Sequence, residues 1–276
     1  MTATAGFPPP QSPRLPAPSG RRRLASLRCI GALMLREMAT TYGKSPGGYA
    51  WAVFEPVAGI AVLTLAFSFM FVKPPIGSSF ELFYATGLLP FFMFNTTCNR
   101  VGTSILFSRP LLIYPAVTFV DAVLARFLVT LLTELLVFSI VMAGILHFYA
   151  IRTVIDVPAV LLSLAMLSGL ALGLGTLNAY LFMRYPVWHV AWSIVNRPLF
   201  IVSGVFFMYD ALPAEIRDYI WFNPLIHVIG AMRAGFYPVY NDDYIAPLYV
   251  LGLALALFLL GLRLLSWHVR WLLHEA

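Results

Sequence analysis

The sequence predicts an all-α polytopic membrane protein: six transmembrane helices, an N-terminal interfacial amphipathic helix, and two short re-entrant helices between spans five and six. Three observations carry that prediction. Of 276 residues, 60% are hydrophobic and only 11% charged, whereas soluble chains average roughly 25% charged residues. A core deep enough to hide so much apolar surface requires a far larger protein, so the solvent is lipid. Second, apolar runs close to the roughly 20 residues that span a bilayer recur about six times and leave no room for a soluble catalytic domain. Third, the basic residues behind the formal charge of +6 fall mostly at one set of loops, a membrane asymmetry rather than a nucleic-acid footprint.

Taken in order, residues 1–20 are rich in Pro, Ser and Ala and read as a disordered tail. They lack the basic stretch running directly into an apolar core that a signal peptide requires. Residues 21–48 form a cytoplasmic interfacial region. Leu24, Leu27, Gly31, Met34, Leu35 and Met38 recur at helical spacing opposite Arg22, Ser26, Arg36 and Glu37, the pattern of a helix lying in the membrane surface. Leu33 falls on the polar side, which predicts a partner protein covering that face. The transmembrane domain occupies 49–276, with spans expected at 49–72, 80–101, 119–148, 157–183, 187–209 and 245–265. Asn95, Thr96 and Thr97 weaken the second. Only Arg184, Tyr185 and Pro186 separate spans four and five, which makes them an antiparallel hairpin.

Residues 210–244 are too apolar for a free loop and too broken for a span. Pro213 suits the first turn of a short helix over 213–222, and Asn223 with Pro224 supplies a cap and first turn for another over 224–236. Such segments need protein or a water-filled cavity over their backbone, and they read as a gate on the outer side. With both termini in the cytoplasm, that side collects Arg14, Arg21, Arg22, Arg23, Arg28, Arg36, Lys44, Arg100, Arg109, Arg184, Arg263 and Arg270. The opposite loops hold only Lys73, Arg152, Arg217 and Arg233 as cations, so the basic-inside rule sets the orientation.

Membrane-embedded ionisable groups are the best functional pointers, since each costs several kcal/mol unless paired or hydrated. Glu55, followed by Pro56, lies near the start of span one, Glu134 in the middle of span three, and Arg197 in span five. Glu134 and Arg197 either form an ion pair or face a cavity. Among the many aromatic residues, Trp51, Trp188, Trp192 and Phe206 suit the C–H faces of sugar rings or, equally, interface belts and helix packing. Gly169 and Gly173 form a GxxxG spacing that permits close helix approach. Gly43-Lys44-Ser45 is no phosphate loop: Met38 stands where the motif requires its first glycine. Cys29 and Cys98 have no metal-ligand spacing, and the five histidines are scattered, so no hydrolytic or zinc site is expected.

Arg36-Glu37-Met38, Thr41 to Trp51 and Glu55-Pro56, together with Asn223-Pro224-Leu225, His227, Arg233 and Phe236, resemble the signatures of ABC-2 type permeases for polysaccharide export. Glu55-Pro56 is closer to the capsular branch, because the O-antigen branch tends to carry Gln-Pro there. The resemblance covers essentially residues 21–270. It implies a non-catalytic permease of the bacterial inner membrane, working as a homodimer on two copies of a cytoplasmic ATPase. That partner would bind ATP and magnesium, and this chain would hold no cofactor. Docking is implied at a coupling helix within 102–118, here Arg109, Pro110, Leu111, Leu112, Ile113 and Tyr114. A lipid-linked capsular polysaccharide would enter by Arg36, Lys44, Tyr49, Trp51 and Glu55 and pass Trp188, Trp192, Arg197 and Phe206. The outer gate would comprise Asp210, Pro213, Trp221, Asn223, Pro224, His227 and Arg233, with periplasmic or outer-membrane export proteins beyond it. An O-antigen or teichoic acid permease and an integral membrane glycan or lipid transferase are the alternatives.

Overall fold

The computed structural model describes residues 22–41, 48–112, 117–151 and 153–275, and within them every regular element is helical. The order is α1 (Arg22–Thr41), α2 (Gly48–Ser68), α3 (Phe80–Gly102), α4 (Ser104–Leu112), α5 (Phe119–Phe148), α6 (Val157–Arg184), α7 (Pro186–Val202), a 3-10 turn (Tyr209–Ala211), α8 (Ala214–Ile220), α9 (Pro224–Phe236) and α10 (Pro247–Glu275). The predicted tail, Lys44, Ile113 and Tyr114 lie outside the described residues.

Helix starts follow local chemistry. Ser79 caps α3 by accepting from the Leu82 amide at 3.2 Å. Thr118 and Asp121 form a reciprocal capping box on α5, satisfying two amides that the first turn leaves without partners. Asp156 caps α6 and Asn223 caps α9, each followed by proline in the first turn, where its missing N–H costs nothing.

Four helices, α2, α5, α6 and α10, are long and apolar enough to cross a membrane. The other two expected spans exist as helices but fall short of that description. In α3 the apolar run is diluted by Asn95, Thr96, Thr97 and Asn99, and α7 is only 17 residues long. Helix α6 is the hub, packing most extensively against α10, α3 and α9, while α3 packs in turn against α2, α5 and α9. Close approach of α6 to α10 depends on Gly173, where a Cβ would lie 2.3 Å from the Ala254 carbonyl oxygen, so the GxxxG spacing serves packing as expected.

Three expectations change. The fifth helix ends at Val202 rather than near 209. Gly204 there takes φ +89°, and the carbonyls of Val205 and Phe207 turn away to bond Arg233, which no helix allows. The last helix runs to Glu275, past the expected 265. On α1 the apolar stripe stays open, as a helix in the membrane surface requires, but the cover over its other side comes from within the chain. Leu33 and Glu37 are buried while Leu27, Leu35 and Met38 are exposed, and α5 of the same chain packs on α1.

Candidate functional site

A cavity of about 550 Å³ opens between α2, α3 and α5. Helix α2 contributes Trp51, Phe54 and Glu55, α3 contributes Phe92, Asn95, Thr96 and Arg100, and α5 contributes Glu134. Pro56, inside α2, cannot donate to the carbonyl one turn earlier, and that residue, Ala52, also lines the cavity. The side chains of Glu55, Arg100 and Glu134 make no ion pair or hydrogen bond with any described residue. Three ionisable groups in one cavity among apolar helices imply water or a polar ligand there. Carboxylates can accept from hydroxyls, the guanidinium can hold an anionic oxygen, and Trp51 and Phe92 offer ring faces.

The open choice for Glu134 is thereby decided. It faces the cavity, and Arg197 is exposed on α7 without an ion pair to it. Trp51 is exposed beside Phe54, with ring centroids 5.5 Å apart. Tyr49 lies in the first turn of α2. Arg100, Asn95 and Thr96 were not among the expected site residues. Their clustering at i, i+1 and i+5 near the end of α3, with Arg100 one turn beyond the apolar run, was the available signal.

Trp188 and Trp192 occupy one stripe of α7 and turn inward. Trp188 Nε1 donates to Asn178 Oδ1 at 3.0 Å and Trp192 Nε1 to Asn99 Oδ1 at 2.9 Å. Asn196 Nδ2 donates to Asn95 Oδ1 at 2.6 Å, so a polar seam fastens α7 to α3 and, through Asn178, to α6. Phe206 packs on Phe200 and Phe67 near the other end of α2, at 5.0 and 6.1 Å.

The expected gate residues form a cap over the far end of the bundle. Arg233, 1% exposed, donates Nη1 to the Phe207 carbonyl at 2.7 Å and Nη2 to the Val205 carbonyl at 3.0 Å, with its charge 4.2 Å above the Phe83 ring. His227 Nδ1 accepts from the Ala246 amide at 3.3 Å, which leaves Nε2–H to donate to the Trp221 carbonyl at 2.8 Å. Burial holds its pKa below the ordinary histidine value, although the backbone carbonyls of Trp221 and Tyr244 oppose the shift. Trp221 Nε1 donates to the Tyr244 carbonyl at 3.1 Å, and Asn223 Nδ2 reaches the Val202 carbonyl at 3.0 Å. Asp210 sits in the 3-10 turn, its carbonyl accepting from Arg217 at 3.1 Å, and Pro213 precedes the exposed helix α8.

At the opposite end, α4 carries Arg109, Pro110, Leu111 and Leu112 in its last turn, with Pro110 exposed. Arg36 on α1 sits 5.0 Å from the ring of Phe107 on α4. No group of His, Cys, Asp and Glu side chains among the described residues is arranged to hold a metal ion.

A family model described as ABC-2 type transporter matches residues 28–237, a stretch that contains the cavity, the α7 seam and the cap helix α9. The chain belongs to the ABC-2 type transporter family. Among family relatives, it is 28% identical to the polysialic acid transport protein KpsM of Escherichia coli, over 85% of this chain and 91% of the relative. It is 29% identical to the capsule polysaccharide export inner-membrane protein CtrC of Neisseria meningitidis serogroup A, over 88% and 92%. For the capsule polysaccharide export inner-membrane protein BexB of Haemophilus influenzae the identity is 27%, over 85% and 89%.

Proposed function

We propose that the chain is the membrane subunit of an ATP-driven exporter that moves a lipid-linked capsular polysaccharide across the bacterial inner membrane. The observation that carries this reading is the cavity between α2, α3 and α5, where carboxylates, a guanidinium and ring faces meet in a chain similar to polysialic acid transport and capsule polysaccharide export inner-membrane proteins. Glu55 and Glu134 accept from sugar hydroxyls, Trp51 and Phe92 stack on ring faces, and Arg100 takes an anionic oxygen of the polymer. The first contact is made by Arg36, Lys44 and Tyr49 near the membrane surface, where basic residues attract an anionic lipid-linked end. Arg197, exposed on α7, and Phe206 continue the path.

Two protomers share one channel, and each stands on a cytoplasmic ATPase that binds ATP and magnesium. Arg109 through Tyr114 receive the ATPase. Both termini are cytoplasmic, supported by the basic residues on and near α1, α4 and the end of α10. Helices α3 and α7 complete six spans in that arrangement, while α8 and α9 re-enter from the outer side as the gate. Export proteins of the periplasm or outer membrane carry the chain onward.

Disruption of the gene in its native host, with the polysaccharide located by fractionation and antibody access, tests the reading. Complete lipid-linked chains trapped inside the cell are expected. Absent or chemically altered chains would indicate a transferase instead, and normal surface display would end the polysaccharide reading.

A further inference from the structure

Three helices meet at Phe107. It projects from α4, whose buried positions are Ser104, Ile105 and Ser108. The guanidinium carbon of Arg126, on α5, lies 4.3 Å from the ring centroid, and that of Arg36, on α1, lies 5.0 Å away. Arg126 is 7% exposed and its Nε has no hydrogen-bond partner. A 3.4 Å ion pair to Glu37 of α1, itself 5% exposed, balances its charge. Further along α1, Ser26 donates to Asp121, which also closes the capping box of α5. Helix α1 is therefore held to α5 at two points, and Phe107 is where α4 joins them.

Two guanidinium groups beside one another repel. The negative face of an aromatic ring attracts both, most strongly where water is scarce, and Glu37 neutralises one of them. A side chain of similar volume without a ring quadrupole would leave Arg36 and Arg126 repelling across the junction. We propose that Phe107 is a positioning residue that makes α1, α4 and the start of α5 move as one body, passing displacement of α4 to the interfacial helix. The proposal rests on the reading that the end of α4 receives the ATPase.

The test uses the full chain, with Cys29 and Cys98 replaced by alanine and spin labels at Leu35 of α1 and Leu106 of α4, both exposed. A single narrow distance is expected, the same with and without nucleotide trapped on the ATPase, and it should broaden in Phe107→Leu and narrow again in Phe107→Trp. Export should fall roughly tenfold in Phe107→Leu while ATP hydrolysis stays within about twofold, with Phe107→Trp restoring export. If the leucine variant fails to reach the membrane, Phe107→Met, which also lacks the ring, is read in the same way. A distance in the parent that shifts on trapping, an unbroadened distance in the variant, or wild-type export from it would each overturn the proposal. The distance needs no cargo, so a failure of the polysaccharide reading leaves it decidable.

Discussion

At the cap, the buried cation Arg233 is bonded to two backbone carbonyls and lies over a ring, and His227 has a backbone partner on each ring nitrogen. In the cavity between α2, α3 and α5, by contrast, the side chains of Glu55, Arg100 and Glu134 share one space of about 550 Å³ without bonding to any described residue. The difference is one of purpose. A buried charge bonded to backbone carbonyls holds a chain path in place, as Arg233 holds 203–208 outside any helix. Ionisable groups left facing a cavity carry a standing cost in the membrane, and a ligand or water must offset it. Both sets are conspicuous polar residues in an apolar sequence, yet one belongs to the scaffold and the other to the site.

Four experiments sharpen or break this contrast. Arg233→Met should have the largest effect, since it buries two carbonyls without partners and removes a packed cation. We expect about 3–5 kcal/mol of lost stability, read as a large drop in thermal midpoint in detergent or as absence from the membrane. A variant as stable as the parent would remove Arg233 from the scaffold. Glu134→Gln should do the reverse, cutting surface polysaccharide by roughly tenfold, equivalent to about 1.4 kcal/mol, while the thermal midpoint stays unchanged or rises. Loss of stability with export intact would show that the cavity is only packing.

His227 gives a pH signature. Its folded-state pKa lies below the unfolded value of about 6.5, so the unfolded chain binds more protons as the pH falls. The stability it contributes is full above about 6.5 and is lost as the pH drops through that value toward the folded pKa. Between pH 7.5 and 5.5 the parent should lose roughly 1 kcal/mol more than His227→Gln; equal slopes in the two proteins would contradict this. The smallest effect is expected for Trp188→Phe, which keeps the ring and removes one hydrogen bond to Asn178, about 1 kcal/mol. Strong loss of export with a normal midpoint would instead move Trp188 from the α7 seam to the path of the cargo.

Much of this was legible before any coordinates. The helix over 119–148 stands where its apolar run put it and the short one over 224–236 where its Asn-Pro start put it, because an apolar run of spanning length and a proline after a capping residue are local signals. Membership of the ABC-2 type transporter family followed from Arg36-Glu37, Glu55-Pro56 and Asn223-Pro224, motifs lying within or beside helices α1, α2 and α9. The end of α7 was not legible. Apolar residues continue past Ser203 and Gly204 to Phe207, and it took both the positive φ at Gly204 and Arg233, distant in sequence, which holds the next carbonyls, to end the helix there.

Composition and periodicity by themselves determined that the chain lives in lipid, that it is helical, and roughly where its helices begin, since these follow from transfer energies and from side chains one turn apart. Tertiary structure alone decided which polar residues belong together. It turned the mixed face of α1 onto α5 through Glu37 and Arg126, separated Glu134 from Arg197, and joined Glu134 to Glu55 and Arg100 across three helices. The physical reason is that the burial cost of a charged group depends on where its neighbours lie in space, and sequence spacing reports those neighbours only within one helix.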